Sequence, residues 1–273
     1  MDIPKIIHYC WFGKSPLPEL AQKCISSWKR YFPDYEIKEW NEDNFDVNMI
    51  KYTKQAYEKK KYAFVSDYAR FWILYNYGGI YFDTDVEVLK DFTPILKKGS
   101  FMGCERDSMI SVNPGLGISV APGLGIAAEP GLEIYNSILE HYKKADFLFS
   151  NGEINTETVV MKTTRILKDY GLKEEIGIQN VGDITVYPKI YFCPDDTARQ
   201  TGIYDENTYS AHHYMASWMD KRHIKRSKNP FWKAFSSLSV MISKIFKKVL
   251  GDKKWENFRN KYLKKLYNFL RGI

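Results

Sequence analysis

The sequence predicts an α/β domain built on a mixed, mainly parallel sheet, followed by basic amphipathic helices. Three observations carry this. Strand-like and helix-like segments alternate from residue 5 to residue 88, the order that builds parallel sheets with helical crossovers. An apolar run, Gly79-Ile80-Tyr81-Phe82, gives way to Asp83-Thr84-Asp85, as a buried strand does where it surfaces at the ligand-binding edge of such a sheet. Charge is divided along the chain: residues 221–273 hold 16 of the 40 Lys and Arg but 2 of the 33 Asp and Glu, so that tail carries +14 and residues 1–220 carry −7. The expected organisation is therefore one domain over 1–220 and a tail over 221–273.

A strand is predicted over 5–12. A helix over 17–32 follows, started by Pro16 and Pro18, stopped by Pro33, and apolar at Leu20, Cys24, Ile25 and Trp28. A second strand is predicted over 35–40. The polar, helix-prone stretch 41–61 is expected to cover one side of the site. A helix over 63–77 ends at Gly78-Gly79, a left-handed stop, and the strand carrying the acids comes next. Beyond it, strands are predicted over 100–104 and 117–121, and helices over 131–144 and 156–170. Short strands are predicted over 184–187 and 190–193. Asn113-Pro114-Gly115 and Asn151-Gly152-Glu153 read as turns, and 195–207 as a polar loop.

Composition excludes several classes. Cys10, Cys24, Cys104 and Cys193 form no Cys-x-x-Cys pair and read as the reduced thiols of a cytosolic protein. No secretory leader or run of eighteen apolar residues is visible, so no membrane span is expected. No nucleic-acid recognition motif accompanies the basic tail. In that tail Phe231, Trp232, Phe235, Leu238, Ile242, Ile245, Phe246 and Val249, then Trp255, Phe258, Tyr262, Leu266, Phe269 and Leu270, recur at helical spacing among lysines and arginines. Two such helices over 229–273 fit an in-plane anchor on an anionic membrane surface.

The candidate chemistry centres on the two acids. Asp83 and Asp85 emerging together from a buried strand are costly unless something positive binds them. A divalent cation carrying a phosphate supplies that charge and takes hard oxygen ligands. Asp67 and Arg70 lie three apart, on one flank of a helix that is apolar almost all round, so this pair is expected to be buried and aimed toward Asp83. Trp11 stands at the end of the first strand, where a ring can stack on a base. His8, inside that strand, is expected to be a satisfied core histidine. Late in the chain, His212 and His213 offer imidazoles as a third metal ligand; His213 is the first candidate, with Ser217 and His212 as alternatives. Asn155 or Thr156 is expected to cap a helix, with a possible contact to an acceptor. Gly115-x-Gly117 and Gly123-x-Gly125 lack a following helix and read as turns, not phosphate loops.

These motifs resemble a known family. Ala63-Phe64-Val65-Ser66-Asp67-Tyr68-Ala69-Arg70, with Leu74-Tyr75-Asn76-Tyr77-Gly78-Gly79-Ile80-Tyr81-Phe82-Asp83-Thr84-Asp85-Val86, resembles the Asp-x-Asp signature of family 32 glycosyltransferases, the bacterial capsular-polysaccharide and yeast mannosyltransferase-like enzymes. It is more distantly similar to the glucosyltransferase domain of large clostridial toxins. The segments 3–13 and 211–218 match the family's first strand and last active-site segment, so the resemblance covers about residues 1–220.

The resemblance implies a GT-A type nucleotide-sugar-binding domain and a retaining, metal-dependent hexosyltransferase. Its metal would be Mn²⁺ or Mg²⁺, held by Asp83, Asp85 and a late residue. Trp11, Asp67, Arg70, Tyr81, Asp83, Ser217 and Trp218 would bind a donor, with UDP-hexose favoured. The expected acceptor is a glycan, lipid-linked and part of bacterial surface-polysaccharide synthesis, which would put the protein in the cytoplasm on the inner face of the membrane. A phosphohydrolase of the haloacid-dehalogenase type also uses Asp-x-Asp after an apolar strand. Here Glu87 stands where that class has Thr or Val, and only Asp195-Asp196 could serve as its later acidic motif. A non-enzymatic membrane adaptor leaves Asp67, Arg70, Asp83 and Asp85 unexplained.

Overall fold

In the computed structural model the residues described are 3–107 and 117–215. The chain divides into two units, 1–215 and 216–273, and all described residues belong to the first. The expectations for Asn113-Pro114-Gly115, for Ser217 and Trp218, and for the tail helices fall outside the described residues.

The alternation read from the sequence is present. Strand β1 (Ile6–Cys10) leads through helix α1 (Glu19–Tyr31) to β2 (Glu36–Trp40), then through α2 (Lys51–Glu58) and α3 (Tyr62–Tyr77) to β3 (Gly79–Tyr81). Both β2 and β3 pair with β1 in parallel. Next come β4 (Val86–Val88), α4 (Thr93–Leu96), β5 (Phe101–Arg106), β6 (Ser119–Val120), β7 (Ile126–Ala128), α5 (Glu133–Lys144), α6 (Val159–Asp169), β8 (Gln179–Val181), β9 (Ile184–Tyr187), α7 (Asp196–Thr201) and β10 (Ser210–His212).

The main sheet has the order β2-β1-β3-β7-β5-β9-β8, with β6 beside β5. β7 is antiparallel to both β3 and β5, and β8 is antiparallel to β9, while β5 and β9 are parallel. It follows that β2, β1, β3, β5 and β9 all run one way, with β7 and β8 reversed. This is the mixed, mainly parallel sheet that the sequence predicts. Its acid-bearing segment leaves the carboxyl end of a central strand.

Each face of the sheet is buried. Ile7, Tyr9 and Ile80 point into one core with Trp28 of α1, Phe82 and Phe92. Cys10 and Tyr81 point into the other, with Tyr68 and Phe71 of α3 and Tyr135 of α5. That alternation is the period of two in the strands. His8 is a core residue as expected: Trp40 Nε1 donates to its Nδ1 (3.0 Å) and its Nε2 reaches Gly78 O (3.0 Å). Gly78 and Gly79 have φ of 64° and 100°. A Cβ on Gly79 would lie 2.6 Å from Ile6 O, so the stop between α3 and β3 demands glycine twice over.

Three local readings are corrected. The segment 190–193 is not a strand: Pro188 opens a 3₁₀ turn, Lys189–Tyr191, whose first amide donates to Asp107 Oδ2 (2.7 Å). The loop 195–207 contains α7, capped by the Asp195 side chain accepting from Ala198 N (2.9 Å) and ended by Gly202 at φ 70°. Helix α6 starts at Val159, capped by Thr158 Oγ1 accepting from Met161 N (3.2 Å). Asn155 instead braces the loop before α6, its side chain accepting from Glu157 N and donating to Asp146 O.

Candidate active site

The site is assembled where β3 ends. Phe82 stays in the core, and Asp83 begins a turn in which Val86 N donates to Asp83 O (3.0 Å). From beneath, Arg70 of α3 reaches up. Its Nη2 lies 3.0 Å from Asp67 Oδ1 and 3.2 Å from Asp83 Oδ1, with side-chain exposures of 4%, 13% and 29% respectively. Arg70 Nε donates to Ser66 O (3.2 Å), and the guanidinium lies over the Tyr81 ring at 5.1 Å. Tyr81 OH donates to Asp83 Oδ1 (3.0 Å). Asp67, Arg70, Tyr81 and Asp83, each expected at the site, are therefore one bonded group. The spacing of three on an apolar helix made a buried pair, not a surface one.

Asp85 is held by the far end of the domain. β4 and β10 form an antiparallel pair in which Val86 faces His212. This register brings His212 Nε2 to 3.1 Å from Asp85 Oδ1. Met215 N donates to Asp85 Oδ2 (2.8 Å), and His213 N to Asp85 O (2.9 Å). Ligand atoms of Asp83, Asp85 and His212 all lie within 4.8 Å of one another. Among the described residues His213, the first candidate for the third position, is not part of this group. Its Nε2 lies 2.8 Å from Glu87 Oε2, and Lys23 Nζ is 3.2 Å from Glu87 Oε1. Neighbouring side chains at a strand end leave on opposite faces, so only one of two adjacent histidines can meet Asp85.

The electrostatics of this group suit a cation. Burial pushes the Asp83 carboxyl above its usual range; Arg70 opposes this and Asp85 adds to it. Asp67 is likewise raised to about 6 by burial, against the pull of Arg70 and Lys162. Asp85 goes the other way: burial would raise it, but the hydrogen bonds from His212 and Met215 N outweigh that and lower it. Of the three carboxylates, Asp67 and Asp83 share one guanidinium. Both are less easily ionised than in water, and a divalent ion would reverse that. Two carboxylates and an imidazole are a suitable donor set for such an ion. His212 Nδ1 is in addition buried with no hydrogen-bond partner among the described residues.

Trp11 follows β1, and its amide continues the ladder to Trp40 O (2.9 Å). Its half-buried ring donates from Nε1 to Ser15 O (2.6 Å). Since β1 and β3 are adjacent and parallel, Trp11 and Asp83 leave the same edge of the sheet. The stretch 41–61 closes on this edge: Glu42 Oε1 accepts from Gly13 N (2.7 Å) and Tyr57 OH (2.9 Å).

Two residues at the site were missed. Gly123 sits in the 3₁₀ turn Pro122–Leu124, a turn as expected, but a Cβ there would lie 2.2 Å from Asp83 Oδ2. Lys162 of α6 is fully buried over the rings of Tyr52 (5.5 Å) and Tyr142 (5.3 Å), and it bonds Glu157 O. Its charge is felt at Asp67. The Ala121-Pro122-Gly123 turn was a visible signal without a partner; nothing in the sequence marks Lys162 for burial. Asp195 and Asp196, the acids a phosphohydrolase would need, are spent on the cap of α7 and on Arg199.

Residues 18–102 match the model of the family described as the glycosyltransferase sugar-binding region containing DXD motif. Inositol phosphoceramide mannosyltransferase 1 of Schizosaccharomyces pombe is 30% identical over 111 residues, which is 37% of this chain and 33% of that protein. Inositol phosphoceramide mannosyltransferase 3 of the same yeast is 34% identical over 119 residues, 41% of this chain and 32% of the other. The match thus spans about a third of the length of these curated relatives. Among solved structures the PaToxG glycosyltransferase aligns over 61% of this chain and 69% of its own, at 22% identity and a TM-score of 0.46.

Proposed function

We propose that the chain, whose residues 18–102 match the glycosyltransferase sugar-binding region containing DXD motif, is a metal-dependent, retaining hexosyltransferase. It would move a sugar from a nucleotide sugar to a glycan or lipid-linked acceptor. The observation that carries the reading is the convergence of Asp83, Asp85 and His212 within 4.8 Å, beside the buried Asp67–Arg70 pair. A divalent ion, Mn²⁺ or Mg²⁺, held by those three would neutralise charge developing on the leaving diphosphate.

The chain's own groups supply binding and orientation. Trp11 offers the base a stacking face at the edge of the sheet. Asp67 accepts hydrogen bonds from sugar hydroxyls, and Arg70 fixes Asp67 and Asp83 relative to one another, so the anomeric carbon is presented in one orientation. Among the described residues no further carboxylate joins the Asp67–Arg70–Asp83 group or the Asp83–Asp85–His212 cluster. We therefore favour a front-face course, in which an oxygen of the departing diphosphate takes the proton of the attacking hydroxyl. Ser217 and Trp218 remain assigned to the diphosphate by resemblance. UDP is the first nucleotide to try. The names of the yeast relatives, which give mannose and inositol phosphoceramide, support a lipid acceptor and add mannose to glucose and galactose as trial sugars.

The residues described contain no helix long and apolar enough to cross a membrane. Residence in the cytoplasm on the inner membrane face is proposed from the +14 charge of 221–273. Full-length protein should sediment with anionic vesicles, and protein lacking 229–273 should not; equal sedimentation would remove this part. The central test is hydrolysis of a panel of nucleotide sugars with and without Mn²⁺, alongside thermal stability with UDP and GDP. Metal-dependent hydrolysis of one donor, with its nucleotide raising the melting temperature only when Mn²⁺ is present, is the expected result. Phosphate release from phosphomonoesters without nucleotide-sugar turnover would restore the phosphohydrolase.

A further inference from the structure

The segment from His212 to Met215 wraps Asp85 on three sides, through His212 Nε2, His213 N and Met215 N. Inside that wrap Tyr214 has φ of 49°. This left-handed conformation strains any residue with a Cβ, and it persists only where the surroundings impose it. The surroundings are specific. The Tyr214 ring meets the His212 ring at 4.2 Å between centroids and 80° between planes. Its hydroxyl lies 2.9 Å from the buried Cys193 Sγ. Arg199 of α7 stands over the ring, 5.1 Å from its centroid.

The imidazole itself explains why such a brace is needed. A histidine that serves as a metal ligand ordinarily donates its second ring N–H to a carboxylate or carbonyl, which fixes tautomer and ring angle. His212 has Nε2 on Asp85, while its Nδ1 is buried without a hydrogen-bond partner among the described residues. No hydrogen bond on the far side therefore sets its plane. Among the described residues, the edge-to-face contact with Tyr214 adds the restraint on the ring plane that the Asp85 bond alone does not give.

We propose that Tyr214 is a positioning residue: it holds the His212 ring at the angle that completes the Asp83–Asp85 cation site, and the strained backbone at Tyr214 is the cost of presenting that ring. The proposal rests on the metal-site reading for its consequence but not for its geometry. Once Tyr214 is clamped between Cys193 and Arg199, His212 is placed from the β9–α7 side of the domain as well as from β4.

The experiment compares full-length wild type with Tyr214→Phe, Tyr214→Leu and Tyr214→Gly. Tyr214→Gly removes the ring and relieves the backbone; Tyr214→Leu keeps the bulk if the glycine variant does not fold. Two readouts are taken on protein whose far-UV circular dichroism is native. Long-range ¹H–¹⁵N spectra of histidine-labelled protein report the His212 tautomer. Mn²⁺ titration followed by the electron paramagnetic resonance of free Mn²⁺ reports affinity.

We expect one His212 tautomer in wild type and in Tyr214→Phe, which keeps the ring against His212, with loss of the Cys193 contact weakening Mn²⁺ binding by no more than about threefold in Tyr214→Phe. We expect averaged His212 signals and at least tenfold weaker Mn²⁺ binding in Tyr214→Leu and Tyr214→Gly. A single unshifted tautomer in both of the latter overturns the proposal, as does wild-type Mn²⁺ affinity in either. Should wild type itself bind no Mn²⁺, the metal-site reading falls, and the tautomer spectra still decide the role of Tyr214.

Discussion

Adding one methyl group at Gly123 should disable the site without unfolding the domain. Gly123 does not need its conformational freedom, since its φ is not among the positive ones. What it provides is space: the added Cβ would stand 2.2 Å from Asp83 Oδ2 and 3.5 Å from Arg70 Nη1. Neither backbone can recede easily, because Asp83 N already lies against Gly123 O at 3.4 Å. The carboxylate must move instead, by about 1 Å. It then leaves Tyr81 OH at 3.0 Å and Arg70 at 3.2 Å. A displacement of about 1 Å at a positioned group costs about 100-fold in rate, or about 2.7 kcal/mol in the barrier.

The assay is initial-rate donor hydrolysis and transfer by Gly123→Ala, measured alone and combined with Asp83→Ala. In the Asp83→Ala background the new methyl has no carboxylate to displace. There Gly123→Ala should change the residual rate by less than about twofold, a non-additivity diagnostic of direct contact. Wild-type turnover by Gly123→Ala would refute the reasoning, and additive losses would move the effect to the fold.

Further outcomes follow from the same geometry. Asp83→Asn and Asp85→Asn should each cut transfer to a small residual rate, but with opposite effects on melting temperature. Burial already disfavours the Asp83 charge, so Asp83→Asn should hold or gain stability, whereas Asp85 is ionised more easily than usual and its loss should destabilise; equal shifts would discredit these environments. Trp11→Ala should weaken nucleotide binding by about 1 to 3 kcal/mol, read by calorimetry with UDP and Mn²⁺, and an unchanged affinity would return Trp11 to the core. Burial lowers His8 from 6.5 to about 4, a depressed folded-state value. Its stabilising contribution is therefore whole above pH 6.5, disappears as pH falls toward 4, and amounts to about 3 kcal/mol in total, of which about 2 kcal/mol goes between pH 7 and pH 5. Urea unfolding at both pH values should show this component in wild type and not in His8→Leu; identical pH dependence would exclude it.

Local pattern was enough for the first half of the domain. Alternation and Pro and Gly punctuation placed β1, α1, β2, α3 and β3, because each of those segments signals its state within its own length. The same signals brought Asp67, Arg70 and Asp83 together, since a helical step of three and an apolar strand that ends in acid are both local geometry. Elsewhere the sequence was silent or ambiguous. β7, three residues long at Ile126–Ala128, is a strand only because β3 and β5 leave a gap between them. Gly123 looked like an ordinary turn until the turn was laid against Asp83. His212 and His213 are indistinguishable as letters; the register of β10 against β4 turned one toward Asp85 and sent the other to Glu87. Sequence by itself determined the acids, the buried pair and the class of sheet, because those depend on neighbours within a few residues. Only the tertiary structure decided which histidine meets the acids and which glycine makes room for them, because both depend on contacts between residues more than thirty positions apart, and chain order leaves such contacts open.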